Sequence, residues 1–200
     1  VSTASTSSTV NIINSKGIVD IDNPGSSIGG FIGAFFASGS GGNTITSSVA
    51  EGVIKDTGLN ATSTKRGGFV GDSVFAKLTS NISTVDIQGH VDIGGAFGAS
   101  TNSIINQAYI DSDLNAYSSG TIINIGGIVG EQRLGSSAVY TSIKLLGSIY
   151  VPNKDCDGTT FCGLLTGQNN ATGLLLFGDI LTVMSALDFD SSFSDQCLPS

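Results

Sequence analysis

The sequence carries little positive charge. Its 200 residues include 8 Lys and Arg against 16 Asp and Glu, so the formal net charge is -8. A nucleic-acid partner needs clustered basic side chains against its phosphates, and the basic residues are scattered along this chain. We therefore expect no nucleic-acid partner.

Histidine and cysteine are also scarce. His90 is the only histidine and the cysteines contain no Cys-x-x-Cys pair, which argues against a zinc site. Cys156 and Cys162 flank a short turn-prone loop, so a local disulfide is predicted for an oxidising compartment. A different pairing and three free thiols are the alternatives. Cys197 is left over, and an odd cysteine in a secreted chain can cross-link to a neighbouring molecule.

Few residues suit catalysis. Gly25–Gly29 matches the Gly-x-Ser-x-Gly pattern of a nucleophile elbow, which needs a strand before it and a helix after it. Here Asn23 and Pro24 precede it, so we interpret it as a turn. His90 lies in an alternating stretch and is expected to point outward. Paired carboxylates of the glycosidase kind need acidic and basic groups that converge in a cleft. The basic residues of this chain are scattered and form no such cluster. We expect no enzyme activity, no catalytic residue and no cofactor.

Four Asp-x-Asp pairs are the pattern closest to a cation site. Each places two carboxylates on one face of an extended chain, but calcium takes about six to eight oxygens. None matches an EF-hand or a glycine-rich nonapeptide. Solvated acidic faces are our interpretation, with calcium as the minor alternative. The pairs are Asp20 and Asp22, Asp111 and Asp113, Asp155 and Asp157, and Asp188 and Asp190.

Long apolar runs are missing. The longest, Gly173 to Met184, is about a dozen residues and contains Asp179, against about 20 for a membrane span. No signal peptide is visible, so we interpret the chain as mature or as a fragment.

Export is indicated by three N-glycosylation sequons, at Asn60, Asn81 and Asn170, although one or two would arise by chance in a chain rich in Asn, Ser and Thr. Charged residues are only 12% and Trp is absent, a composition typical of exported surface proteins. We predict a secreted, N-glycosylated protein at the extracellular surface, without a membrane span.

Glycine, by contrast, is abundant, with 28 residues, and much of it recurs in one phrase, Gly-Gly-apolar-apolar-Gly. Four full copies are followed by a degraded one, Cys162-Gly163-Leu164-Leu165-Thr166-Gly167. The second glycines, at 30, 68, 95, 127 and 163, are separated by 38, 27, 32 and 36 residues. An irregular period of this size predicts a repeat protein. The motif glycines are Gly29, Gly30, Gly33, Gly67, Gly68, Gly71, Gly94, Gly95, Gly98, Gly126, Gly127, Gly130 and Gly163.

A strand-turn-strand stretch precedes each phrase. Ser83–Ile93 aligns with Thr141–Val151 without a gap, and its apolar residues alternate with Asp86, Gln88 and Asp92, which predicts that these three point outward. No stretch shows the 3.6-residue period of a helix. One such unit cannot bury its apolar face alone, but stacked units can.

We therefore predict an all-β fold. The architecture expected is a parallel β-solenoid, a short right-handed β-helix of about five coils with non-repeat ends, and a β-sandwich is the alternative. Residues 10–168 form the repeats. Residues 1–9 are a Ser/Thr-rich tail or an exchanged strand, and residues 169–200 are a capping or assembly segment.

The phrase has two apolar positions side by side. Neighbouring residues of a strand face opposite ways, so either a bend turns both inward or one column is exposed as a docking face. The glycines favour the bend, because they tolerate positive φ and let backbones approach closely.

The four full phrases, each after a strand-turn-strand stretch, resemble the GLUG-motif repeat of bacterial adhesins, accessory regions of some secreted peptidases and large protist surface proteins. The resemblance covers Val10 to Gln168. It implies a β-helical extracellular module with adhesive or structural work, and it implies no catalytic residues. The fifth copy departs from the pattern, with Thr166 as an insertion and Cys162 in place of a glycine, which predicts a distorted coil or a cap.

Three functions follow as hypotheses. The first is a non-enzymatic structural subunit of an extracellular glycosylated fibre, appendage or coat, which polymerises with copies of itself through its terminal segments. The second is an adhesin module that binds a surface glycan or protein along the solenoid face. For that module, the tyrosines Tyr109, Tyr117, Tyr140 and Tyr150 are few. The third, an enzyme, lacks a convergent polar cleft.

Overall fold

The structure is a computed structural model. It describes residues 3–5, 9–22, 25–39, 42–55, 64–116, 123–133, 137–151, 160–163, 165–169, 173–177, 181–182 and 185–187. Within these ranges no helix has the length and apolar character of a membrane span.

The described residues form strands, as predicted. In chain order they are β1 (Thr3–Ser5), β2 (Asn11–Ile13), β3 (Lys16–Asp22), β4 (Ser27–Gly29), β5 (Ile32–Phe36), β6 (Thr44–Thr46), β7 (Val49–Lys55), β8 (Lys65–Gly67), β9 (Val70–Val74), β10 (Lys77–Gly89), β11 (Asp92–Gly94), β12 (Phe97–Thr101), β13 (Ile104–Ala116), β14 (Ile123–Gly126), β15 (Val129–Gln132), β16 (Ser137–Tyr150), β17 (Thr160–Gly163), β18 (Thr166–Asn169), β19 (Gly173–Phe177), β20 (Leu181–Thr182) and β21 (Ser185–Leu187).

The strands make three sheets, and the strand ladders of the described residues are parallel. Sheet A has the order β1-β5-β9-β12-β15-β18, and sheet C has the order β17-β14-β11-β8-β4. Sheet B contains the long strands, in rows formed by β2 with β3, β6 with β7, β10, β13, β16, and β19 with β20 and β21. The all-β prediction is confirmed.

The chain visits the sheets in one order, B then C then A. This defines five repeats: β2–β5, β6–β9, β10–β12, β13–β15 and β16–β18. The segment after residue 168, expected to cap or assemble, contributes β19, β20 and β21, which pair with β16 as a sixth row of sheet B. Before the repeats, β1 pairs with β5 of its own chain.

The core lies inside the three sheets. Ile45, Leu78, Ile105 and Tyr140 occupy one column of sheet B, and each is fully buried. The first repeat differs, because some of its inner apolar side chains are only partly buried, although Ile28, Ile32 and Phe35 are buried. The partly buried side chains are Val10, Ile12, Val19, Ile21 and Phe31.

A bend interrupts each of the first five rows of sheet B. Its residues have positive φ between 49° and 62° and lie in one column: Asn14, Ser47, Ser80, Gln107 and Ser142. The residue that follows the bend is polar in the first three repeats. Asn81, 1% exposed, accepts a hydrogen bond from the Ser48 backbone N–H at 2.9 Å and donates from Nδ2 to the Ile45 carbonyl at 2.8 Å. Backbone groups beside this bend are therefore hydrogen-bonded by a side chain of the neighbouring repeat.

The glycine phrase forms the corner between sheet C and sheet A. Sheet C strands end at Gly29, Gly67, Gly94, Gly126 and Gly163, and sheet A strands begin three residues later. In the four full copies the two residues between are a bend. Both apolar positions are fully buried in the second, third and fourth copies. The predicted bend is confirmed.

Positive φ is not the reason for these glycines, because among the described glycines only Gly52 and Gly147 have it. The reason is close backbone contact. A Cβ on Gly68 would meet the Gly95 carbonyl oxygen and Ser83 Oγ, and a Cβ on Gly71 would lie 2.5 Å from the Ile28 nitrogen. The corner of one repeat thus rests directly on the backbone of its neighbours.

The strand register corrects two sequence alignments. Gly163 pairs with Gly126, the first glycine of the phrase, and Thr166 pairs with Val129. Thr166 therefore fills the second apolar position and is not an insertion, and Cys162 lies opposite Ile125. The stretches from Ser83 and Thr141 are also out of register, since Ser83 shares a column with Leu145 through Ile110.

We predict that Gly68→Ala destabilises the chain by at least about 2 kcal/mol, because the new methyl group has fixed backbone on one side. The matched control is Gly39→Ala, where a Cβ would meet nothing within 4 Å, with an expected change within about 0.5 kcal/mol. Urea denaturation measures both. Equal midpoints for the two variants would show that the corner does not require glycine.

Candidate functional site

Six polar side chains converge beside the corner of the second, third and fourth repeats. Lys65, Asp92 and Asn124 form one column of sheet C. Asp72 and Glu131 lie in one column of sheet A, each opposite Ala99. Arg133 follows β15. We call these six residues the lateral cluster.

Three ion pairs connect the charged side chains of this cluster, and one of them joins two repeats. The Arg133 guanidinium lies 2.6 Å from the Asp72 carboxylate and 3.7 Å from that of Glu131, and Lys65 Nζ lies 3.7 Å from Asp72. Arg133 belongs to the fourth repeat and Asp72 to the second, so this pair spans the third repeat, whose residue in the column is Ala99. The small alanine leaves space for the arginine to cross.

Arg133 remains charged in this environment. Burial lowers its pKa, but the hydrogen bond and charge of Asp72, followed by the charges of Glu131 and Asp92, outweigh burial, so the pKa lies above its ordinary value. The Arg133 and Asp72 side chains are 27% and 12% exposed, so water screens their attraction less than that of a fully exposed pair.

Asp92 is the deeply buried carboxyl of the cluster, 5% exposed. Its pKa is raised to about 6, chiefly by burial and in smaller part by the charge of Glu131, against the opposing effects of the Asn124 hydrogen bond and the charges of Lys65 and Arg133. Asn124 Nδ2 donates to Asp92 Oδ1 at 2.7 Å. The sequence pattern placed Asp92 on the polar face of its strand, opposite Val91 and Ile93, and did not predict that this side chain is buried.

This cluster was not predicted from the sequence, although the sequence contains a signal for it. Lys65, Asp92 and Asn124 each lie two residues before the first glycine of a phrase, and Asp72 and Glu131 each lie five residues after one. Polar residues at constant offsets in successive repeats predict a shared polar column. The fourfold phrase supplies the frame that such an alignment needs.

A second buried polar group lies between sheets A and B. Tyr140 donates to Gln132 Oε1 at 2.6 Å, and Gln132 donates from Nε2 to the Ser100 carbonyl at 3.2 Å. Burial raises the pKa of Tyr140 strongly, so its hydroxyl stays neutral. Because both groups are fully buried, we interpret them as structural.

The predicted glycosylation sites have different outcomes. Asn60 and Asn170 lie outside the described residues, so their modification stays a prediction. Asn81 is described, and both ends of its side-chain amide are engaged inside the fold. With its side chain 1% exposed, Asn81 has no open space beside Nδ2 in this fold, and its glycosylation also stays a prediction.

The other sequence-predicted residues do not converge. Cys156 and Cys197 lie outside the described residues, so the Cys156–Cys162 disulfide stays a prediction. Ser27 of the elbow-like pattern begins β4, with β5 after it in place of a helix. His90 lies in the bend after β10, 6% exposed, so its predicted outward position was wrong.

The Asp-x-Asp pairs are only partly described. Asp20 and Asp22 are exposed on β3, and Asp111 and Asp113 lie on β13. The pairs at 155/157 and 188/190 fall outside the described ranges. Among the residues that the structure describes, no group of three His, Cys, Asp or Glu side chains could hold a metal ion.

Comparison with known proteins supplies no relative. No protein-family model matches this chain, and neither the curated proteins nor the solved structures contain a significant match. The resemblance to the GLUG-motif repeat therefore rests on the phrases of this sequence alone.

We predict that Asp72→Ala destabilises the chain by about 1–3 kcal/mol, because Lys65 and Arg133 lose the carboxylate between them while remaining mostly buried. The control, Glu51→Ala, removes the exposed Lys16–Glu51 pair at 2.7 Å, with an expected cost below about 1 kcal/mol. Urea denaturation distinguishes the two, and equal costs would mean that burial of the lateral cluster adds nothing.

We predict that Asn81→Ala lowers the free energy of unfolding by about 2–3 kcal/mol, since the Ser48 N–H and the Ile45 carbonyl lose their partner. Asn106→Ala on the outer side of β13 is the control, expected to change stability by about 0.5 kcal/mol or less. Peptide mapping of secreted material gives an independent check. A glycan found at Asn81 of the folded protein would contradict the described contacts.

Proposed function

We propose that the chain is a parallel β-solenoid that serves as a non-enzymatic structural subunit of an extracellular glycosylated fibre, appendage or coat. The solenoid is supported by the fixed order in which each repeat visits the three sheets. It is also supported by the parallel ladders between successive repeats, since β-sandwiches are built from antiparallel sheets.

Self-association is supported by the exposed apolar side chains and the one-sided strand pairing of the first repeat. Ile12 and Ile21 of sheet B are only partly buried, whereas Ile45 and Ile54, which lie opposite them in the second repeat, are fully buried. The outer residues Ile13 and Ile18 of the first repeat are 58% and 73% exposed. Within the described residues, β2, β3 and β4 each pair on one side only. An uncovered strand edge beside apolar surface favours addition of a further strand.

The partner proposed is a second copy of the chain, because the two ends of the sheets are stepped in complementary ways. Sheet A has an extra strand before the first repeat, β1, and sheet B has an extra row after the fifth, β19–β21. If β1 of one copy follows β18 of another in sheet A, then β2 and β3 follow β19–β21 in sheet B. In sheet C one row between the copies has no described strand.

The inner columns also continue across this junction. Ile12 lies in the column that ends at Leu176, and Ile21 lies in the column that ends at Ala186. Stacking would therefore place apolar residues on apolar residues, at the strand spacing of about 4.8 Å. Head-to-tail contacts of this kind do not close on themselves and generate fibres.

We predict that the 200-residue chain associates with increasing concentration, and that Ile21→Lys prevents it by placing a charge in the junction. Thr79→Lys, on the outer face in the middle of sheet B, is the matched control and should associate as the unsubstituted chain does. Sedimentation velocity and negative-stain microscopy are the measurements, with circular dichroism to verify folding. A monomer at every concentration would overturn end-to-end assembly.

The alternative is an adhesin module, favoured by one feature of the outer face of sheet B. Lys144 Nζ lies 5.5 Å from the centre of the Tyr109 ring, and the Tyr109 hydroxyl donates to Asp111 at 3.2 Å. An aromatic ring among charged groups can contact both the apolar face and the hydroxyl groups of a sugar. Dispersed particles that bind a glycan surface, and lose that binding in Tyr109→Ala, would favour this function.

A further inference from the structure

Asp92 and Asn124 form one of the two hydrogen bonds that a carboxyl group and a primary amide can share. Asn124 Nδ2 donates to one oxygen of Asp92, but Asn124 Oδ1 is buried without a hydrogen-bond partner. Asn124 is 4% exposed and Asp92 is 5% exposed, so water reaches neither side chain freely. An ionised carboxylate offers no proton to this oxygen, and a buried acceptor without a hydrogen bond destabilises the folded chain.

A protonated carboxyl removes this conflict. It donates from its O–H while its second oxygen still accepts, which matches the oxygen and the N–H of a primary amide. Residues 92 and 124 are opposite one another in adjacent parallel strands, so the two side chains extend from the same position of successive repeats. The register therefore presents the carboxyl and the amide side by side.

The surrounding charges are balanced so that the proton can be held. Glu131 on β15 opposes ionisation of Asp92, while Lys65 on β8 and Arg133 after β15 favour it. Both cations are also engaged by Asp72. His90 lies two residues before Asp92 in the preceding bend and has a contact of its own. Burial then decides in favour of the neutral form.

We propose that Asp92, when protonated, donates to Asn124 Oδ1 and closes a two-bond acid–amide pair, which acts as an acid-dependent staple between the third and fourth repeats. The proton comes from solvent and no covalent bond changes. Above the transition the carboxylate retains one hydrogen bond, from Asn124 Nδ2, and the amide oxygen is left unsatisfied.

The direction of the pH effect follows from the raised pKa of Asp92, which is about 6 in the folded chain against an ordinary value of 3.8. The folded chain holds a proton that the unfolded chain has released. The stabilisation is therefore complete below pH 3.8, declines as the pH rises between these two pKa values, and is lost above about pH 6. A separation of about two units corresponds to a roughly 100-fold change in the folding equilibrium constant.

The direct test is NMR titration of the labelled chain. The carbon-13 shift of the Asp92 carboxyl should titrate near pH 6, and the side-chain amide signals of Asn124 should move with the same midpoint. A carboxyl that titrates at the ordinary value, or Asn124 signals that stay constant while Asp92 titrates, would overturn the staple.

A pair of variants tests the energetic consequence. Asp92→Asn supplies a permanent N–H donor in place of the proton. The roughly 100-fold change in the folding equilibrium constant between pH 3.8 and about pH 6 should therefore disappear in this variant. Asp86→Asn is the matched control, because Asp86 is an exposed aspartate in the preceding strand of the same repeat. Urea denaturation from pH 3.5 to 7.5 measures both. A change of this size retained in Asp92→Asn, or removed equally by Asp86→Asn, would contradict the proposal.

Discussion

Backbone contact at the corner between sheets C and A is the constraint on which the rest of the structure depends. The carbonyl of Gly95 and the hydroxyl of Ser83 occupy the space that a side chain on Gly68 would need. Because the corners of successive repeats touch, the strands on either side are held in parallel register, and both apolar positions of the second, third and fourth phrases turn into the core. Glycine is required here for space and not for unusual φ. The phrase therefore recurs in the sequence because each repeat makes the same close backbone contact with its neighbour.

Much of the fold could be predicted because it is periodic. The phrase, the alternating stretches before it and the absence of helical spacing were enough for an all-β chain with a bend at the glycines. The register was harder. Gly163 was aligned with the second glycine of the phrase, because Cys162 was taken to replace the first glycine. Strand pairing instead places Gly163 opposite Gly126, the first glycine. Hydrogen bonds between strands decide such single-residue offsets, and one sequence does not contain them.

The polar residues were the less predictable part. Asp92 and His90 both fit an alternating pattern that assigns them to solvent, and both are buried. Alternation reports only which side of its own strand a residue occupies. It does not report that charged groups distant in sequence, Glu131 and Arg133, act on the Asp92 carboxyl at this corner. Asn81 shows the opposite case, since its sequon suggests a surface position while its amide joins two repeats internally. Burial at a corner depends on long-range packing.

The column of positive-φ residues in sheet B has a consequence for how the chain can change length. Leu78 points inward before the bend and Asn81 points inward after it, so the bend shifts inside-outside parity by one residue. Loss of one residue from Asn81 to Gln88 would turn the following inward side chains toward solvent. The successive bend residues at 47, 80, 107 and 142 are unevenly spaced, yet their flanking strands keep the same pairing. Insertions and deletions are thus tolerated between strands and forbidden within them.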